Sequence, residues 1–153
     1  MRIGIGNDHS GYYLKKTISY YLKERMYDYI DLGTKNGFEA VEYSNCVESI
    51  CQRIQQKEID RGILIGGTGI GMCILANKHQ NIRAVLVQDV FSAKAAREKY
   101  DANVLCLGEQ ICGEGKALLL LETWLQAEVQ KDRDGWRSSI YQFEQPKQPQ
   151  FFS

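Results

Sequence analysis

Arg61-Gly-Ile-Leu-Ile-Gly-Gly-Thr-Gly-Ile-Gly-Met-Cys-Ile-Leu-Ala-Asn77-Lys78 is the stretch that decides the fold. Its apolar run, Ile63 to Ile65, has the length of a buried strand and is bounded by turn residues. Gly66, Gly67, Gly69 and Gly71 follow, with Thr68 and Ile70 between them, and then a helix-like run. Strand, glycine loop and helix form a geometry in which backbone N–H groups converge on an anion. Glycine is needed there because a Cβ blocks close approach or a positive φ. The spacing is neither the G-x-G-x-x-G dinucleotide fingerprint nor a nucleotide-hydrolase loop, since no Gly-Lys-Ser/Thr closes it. A small phosphate or an enediolate oxygen suits such a loop; the alternative is a tight turn that holds no ligand.

Outward from the loop, short apolar runs alternate with helical periods. The expected strands are Arg2–Gly6, Tyr27–Leu32, Ile63–Ile65, Arg83–Val87 and Asn103–Leu107. The expected helices are Tyr12–Met26, Tyr43–Gln56, Gly71–Lys78, Val90–Lys99 and Gly113–Gln130, the last aligning Leu118, Leu121, Leu125 and Val129. The expected fold class is α/β: a single Rossmann-like three-layer domain, with a five-stranded parallel sheet and helices on both faces. Ligands in such folds sit at the carboxyl ends of the strands. Asp8-His9, the glycine loop and Gln88-Asp89 fall there. The domain is expected to span residues 1–143. Residues 144–153 hold both prolines, are polar, and are expected to be an extended or disordered tail ending in Phe151 and Phe152.

The chain has 153 residues, with 19 basic and 19 acidic side chains. That balance gives no electrostatic case for nucleic acid or a membrane surface. No apolar run approaches the ~20 residues a span requires. Met-Arg-Ile-Gly-Ile-Gly6 enters a strand directly and does not look like a signal peptide. A cytoplasmic protein is the expectation. Five cysteines without a C-x-x-C pair argue against a disulfide framework or a zinc ribbon. Cys46, Cys51 and Cys106 read as core residues. Cys73 follows the glycine loop, where a helix start lowers a thiol pKa.

Several segments together carry a resemblance: Ile5-Gly-Asn-Asp-His-Ser-Gly11, Asp31-Leu-Gly-Thr34, Gly62 to Gly71, Ala76-Asn-Lys78, Ile82-Arg-Ala84 and Asp101-Ala-Asn-Val-Leu105. In this order the chain resembles the type B ribose-5-phosphate isomerases, whose wider family includes the galactose-6-phosphate isomerase subunits. The resemblance runs from residue 1 to about residue 137. It implies aldose–ketose interconversion of a sugar phosphate through a cis-enediolate, without cofactor or metal. It also implies homodimers or tetramers with sites shared between subunits.

Carried over by position, Thr68 and its neighbours Gly67, Gly69, Ile70 and Gly71 match the oxyanion loop. Asp8 and His9 match an Asp-His pair that contacts sugar or phosphate. Tyr43 matches a Tyr before the second helix. Arg133 and Arg137, expected on one helix face, match a phosphate-binding pair. The departures fall on the chemistry. The usual base cysteine is replaced by Gly66, and the alternative glutamate by Met72. The ring-opening histidine is Lys99, followed by Tyr100, and a phosphate arginine is Gln110. Cys73, or else Asp8, is then the replacement base, and a buried Lys99 serves the ring oxygen or the enediolate. The competing readings are a sugar-phosphate-binding protein without catalysis and one subunit of a two-chain isomerase.

Overall fold

The computed structural model describes residues 1–145; the expected tail, with Phe151 and Phe152, lies almost wholly outside them. Strands β1 (Arg2–Asn7), β2 (Asp28–Asp31), β3 (Arg61–Gly66), β4 (Ala84–Leu86) and β5 (Val104–Gly108) form one parallel sheet, ordered β2-β1-β3-β5-β4. The helices are α1 (Tyr12–Glu24), α2 (Tyr43–Gln55), α3 (Ile70–Ala76), α4 (Val90–Glu98), α5 (Glu114–Gln126) and α6 (Trp136–Glu144). The expected α/β class, with its five parallel strands, is what the chain adopts.

The three central strands are buried on both faces, and their side chains divide between two cores by the period of two. Ile3, Ile5, Ile63, Ile65, Leu105 and Leu107 meet α1, α4 and α5 on one face. Leu64, Val104 and Cys106 meet α2 and α3 on the other. Each fully buried Leu, Ile or Val stabilises the fold by roughly 1.5–3 kcal/mol. Between β1 and β3 the chain order reverses, so the crevice beyond Asn7 and Gly66 is where such a sheet opens to a ligand.

Much of what looked like motif is scaffold. Lys15 is buried, and its ammonium binds Asp31 Oδ2 at 2.9 Å and the Thr34 carbonyl at 2.6 Å. That pins the Asp31–Thr34 turn beside the end of β1. Asn77 mimics a strand: its Nδ2 donates to the Ala84 carbonyl at 2.9 Å and its Oδ1 accepts from Ala84 N at 2.8 Å. Asn103 holds Arg83 N and the Asn81 carbonyl in the same way.

Two helical expectations are corrected. Helix α5 stops at Gln126, and Val129 lies beyond it, partly exposed. Its core face is Ala117, Leu120, Leu121, Trp124 and Leu125, with Leu118 only partly buried. The Arg61 guanidinium donates to the Trp124 and Leu125 carbonyls, satisfying the orphan acceptors of that helix end. Arg133 and Arg137 do not share a helix face. Gly135 turns the chain at φ 71° between them, and only Arg137 belongs to α6. The helix α6 itself has no buried residue, and its apolar stripe of Trp136, Ile140 and Phe143, spaced i, i+4 and i+7, is left largely exposed.

Candidate active site

Asp8 leaves the end of β1 with its N–H still bonded to the Ile65 carbonyl. Its Oδ1 caps the following 3-10 turn, accepting from Gly11 N at 3.1 Å. Its Oδ2 has no hydrogen bond among the described residues. That oxygen lies 3.6 Å from the point where a Cβ on Gly66 would stand. His9 follows, with Nδ1 buried and without a partner among the described residues. An orphan polar atom of this kind costs free energy unless a ligand or water completes it.

The glycine loop is held from below. Gly66 O and Gly67 O accept from Glu109 N and Gln110 N, both at 2.9 Å, so the turn after β5 clamps the loop. Gly69 sits at φ 76°, and a Cβ there would lie 2.9 Å from the Leu107 carbonyl oxygen. Thr68 is exposed at the crest, and its Oγ1 accepts from Ile70 N at 3.2 Å. The backbone N–H groups of Gly67, Thr68 and Gly69 make no bond among the described residues. Unspent donors on a clamped loop suit an oxyanion.

Tyr43 opens α2, and its ring lies 3.3 Å from where a Cβ on Gly71 would stand, so the phenol borders the loop. Ser10 and Gln110 lie 3.4 Å from the corresponding point on Gly67. The sequence singles out neither as a site residue; Ser10 directly follows Asp8-His9, and Gln110 stands where the resemblance implies an arginine. Asp8, His9, Tyr43, Gly67, Thr68, Gly69, Ile70 and Gly71 are thus brought together at one end of the sheet.

Cys73 does not turn toward that end. One residue along a helix rotates a side chain by about 100°. Met72 therefore faces Gly66, its Sδ 3.4 Å from the Cβ point, while Cys73 faces β4. The Cys73 thiol lies 3.6 Å from the Ala84 carbonyl and contacts Cys106. A hydrogen bond from the wholly buried Cys106 thiol brings Cys73 down to about 7, while Cys106 itself is pushed up. The expected lowering is present, but the neighbouring thiol, not a helix start, is its main cause. Burial, with the Asp8 charge, pushes Cys46 up to about 12, and burial first of all pushes Cys51 to about the same value. Iodoacetamide at pH 7.5 is therefore expected to alkylate Cys73 before any other cysteine. The rate should rise with pH through neutrality as thiolate forms. Peptide mapping showing Cys46 or Cys106 modified first would contradict this.

Lys99, Tyr100, Arg133 and Arg137 gather elsewhere. Helix α4 runs antiparallel to the strands for nine residues, about 13 Å, so Lys99 emerges at the opposite end of the sheet. There the Lys99 ammonium lies 5.6 Å from the Trp136 ring centre, and Tyr100 stacks on the same ring. Lys99 is exposed, so the burial expected of it is absent. The Arg137 guanidinium donates to the Gln130 carbonyl at 2.7 Å and, more distantly, to the Glu98 and Lys99 carbonyls. Arg133 is exposed. Lys99, Lys131 and Arg133 line a cleft of about 510 Å³. The candidate residues of one chain therefore fall into two groups at opposite ends of the sheet. No trio of His, Cys, Asp or Glu among the described residues is placed to hold a metal ion.

The model of the ribose/galactose isomerase family matches residues 3–139. The chain belongs to that family. Ribose-5-P isomerase B of Listeria innocua is 41% identical over 133 residues, covering 87% of this chain and 89% of the relative. D-erythrulose-4-phosphate isomerase of Pectobacterium atrosepticum is 36% identical over 130 residues, covering 85% and 86%. The structure of Clostridium thermocellum ribose-5-phosphate isomerase B superposes with a TM-score of 0.89 at 43% identity, covering 94% of this chain and 97% of that one. As a member of the ribose/galactose isomerase family, the chain is an isomerase in class, and its fold is that of the type B enzymes. No helix among the described residues is long and apolar enough to cross a membrane.

Proposed function

We propose that this protein interconverts an aldose phosphate and a ketose phosphate through a cis-enediolate. Ribose 5-phosphate and ribulose 5-phosphate are the first candidates, and related tetrose or hexose phosphates the next. The observation that carries the reading is the convergence of the free Asp8 carboxylate oxygen, the Thr68 loop and Tyr43 in the crevice between β1 and β3. A carboxylate moves a proton, and the clamped N–H groups of Gly67 to Gly69 stabilise the oxyanion. The separation of the two groups supports a homo-oligomer, dimer or tetramer. Lys99, Tyr100, Arg133 and Arg137 of a second copy would complete the crevice, with Arg133 gripping the phosphate. A cytoplasmic location accords with this chemistry.

Gly66 and Met72 favour a second reading. Neither side chain can act as a base, so the chain alone would bind sugar phosphate, or would work beside a different homologous chain. Proton NMR in deuterated water with ribose 5-phosphate, galactose 6-phosphate and erythrulose 4-phosphate separates the two. Deuterium entering the exchanging carbon is the expected result. Ligand-induced shifts in the protein spectrum without exchange would sink the isomerase reading and leave the second.

A further inference from the structure

If the reaction is isomerisation, some group must remove a carbon-bound proton, and the glycine at position 66 cannot. Cys73 is turned to β4, one helical turn below the crevice. Cys46 donates its S–H to the Tyr43 carbonyl and is held protonated by burial and by the Asp8 charge. Glu109 is turned to α1, its Oε2 accepting from Leu14 N at 3.0 Å, and none of its atoms is among the three nearest to the Gly66 Cβ point. Tyr43 offers a phenol, a donor rather than a base at neutral pH. His9 has its Nδ1 buried, and no atom of it is among the three nearest to the Gly66 Cβ point. Asp8 differs from all of these. One oxygen is fixed by Gly11 N, which orients the carboxylate, and the other faces the space above Gly66.

We propose that Asp8 is the base, its Oδ2 removing and returning the substrate proton across the gap left by the missing side chain at Gly66. The inference rests on the isomerase reading above. Asp8 Oδ2 takes the proton from C2 of the open-chain aldose. The C–H electron pair forms the C1–C2 double bond, and the carbonyl pair moves to O1, which the Gly67–Gly69 N–H groups receive. The O2 proton passes to O1 as the C2 carbonyl forms, and Asp8 delivers its proton to C1. No other reactant is consumed. In deuterated water the Asp8 proton exchanges with solvent, which places deuterium at C1 of the ketose.

The space at Gly66 also supplies the control. The atoms nearest to a Cβ there are Met72 Sδ at 3.4 Å, Asp8 Oδ2 at 3.6 Å and Gly69 N at 3.6 Å, all ordinary contacts. Gly66→Cys can therefore place a thiol in the same gap. The test measures deuterium exchange and turnover for the full chain, Asp8→Asn, and Asp8→Asn with Gly66→Cys. Asn keeps the oxygen that caps Gly11, so circular dichroism should be unchanged. Asp8→Asn is expected to lower kcat by about 10²–10⁴-fold, the usual weight of a general base, with KM changed far less. The double variant is expected to regain at least about tenfold of that loss. Its activity should climb toward alkaline pH, because thiols ionise about four units above carboxylates. Turnover of Asp8→Asn within about tenfold of the parent, a loss confined to KM, or a double variant no faster than Asp8→Asn would each overturn the inference. An unmodified chain that exchanges no deuterium fails at the isomerase reading itself, which is a separate result.

Discussion

Gly108→Ala is expected to cut turnover by about 10²-fold, although Gly108 lies on β5 and is no part of the loop it would disturb. A Cβ at that position would stand 2.5 Å from the Thr68 carbonyl oxygen, 2.6 Å from its carbon and 2.8 Å from its Cα. These are backbone atoms, which no rotamer change can move aside. The loop is also not free to lift, since Gly66 O and Gly67 O are tied to Glu109 N and Gln110 N. Either those bonds break or the Thr68 peptide shifts, and a shift of about 1 Å suffices for such a loss. Stability should fall by about 1–3 kcal/mol, the usual cost of overpacking. Gly113→Ala is the matched control, because a Cβ there meets nothing within 4 Å. Deuterium-exchange rates and melting curves of both variants decide the matter. Gly108→Ala turning over within about threefold of Gly113→Ala would mean that the loop geometry does not set the rate.

Asp101→Ala carries the largest expected loss of stability, about 3–5 kcal/mol. Asp101 adopts φ 51°, which Asp tolerates better than most residues. From there its Oδ1 lies 2.8 Å from the Arg97 guanidinium, and its Oδ2 accepts from Arg83 at 3.3 Å and from the Tyr141 hydroxyl at 2.9 Å. The Arg97 and Arg83 side chains are only 10% and 15% exposed. Burial presses the Arg97 guanidinium pKa down, and the Asp101 charge opposes that shift. Removing the carboxylate leaves the largely buried Arg97 with the Ala102 carbonyl, leaves Arg83 with Glu144 as its one carboxylate among the described residues, and releases Tyr141 of α6 from its acceptor. Asp101→Asn keeps the backbone preference and some hydrogen bonding, so its loss should be intermediate. Urea midpoints of the three proteins give the ordering. A loss below about 1 kcal/mol for Asp101→Ala would mean that Glu144, 2.9 Å from Arg83, carries the network instead.

The two variants separate two layers of the same motif pattern. Gly108, Gly69 and Gly66 shape a surface where chemistry is proposed. Asp101, Arg83, Asn77 and Asn103 belong to resemblance-bearing segments of equal prominence, yet they close turns and pair charges at the opposite end of the sheet. A motif read along the chain does not say which kind it is. Only the partners of each side chain do.

The alternation of apolar runs with helical periods was sufficient to read five parallel strands and two-sided covering. Burial on both faces forces continuous apolar strands such as Ile63–Ile65, and parallel neighbours require crossovers. The glycine loop was equally legible, because a φ of 76° at Gly69 and the squeeze against Leu107 leave glycine as the residue that fits. What the sequence did not carry is direction and distance. Cys73 stands near the loop in the chain, but helical rotation aims it at β4 and aims Met72 at Gly66. Lys99 and Arg133 matched by register, but the antiparallel run of α4 sets Lys99 at the opposite end of the sheet, and Arg133 lines the same cleft there. The helix α6 has an apolar period in Trp136, Ile140 and Phe143, but what ties it to the domain, Arg83–Glu144 and Tyr141–Asp101, joins side chains distant in sequence. Local periodicity and glycine spacing thus determined the fold and the loop by themselves. Which side chains face one another was decided only by the packed tertiary structure, since it depends on rotations and crossings summed over the whole chain.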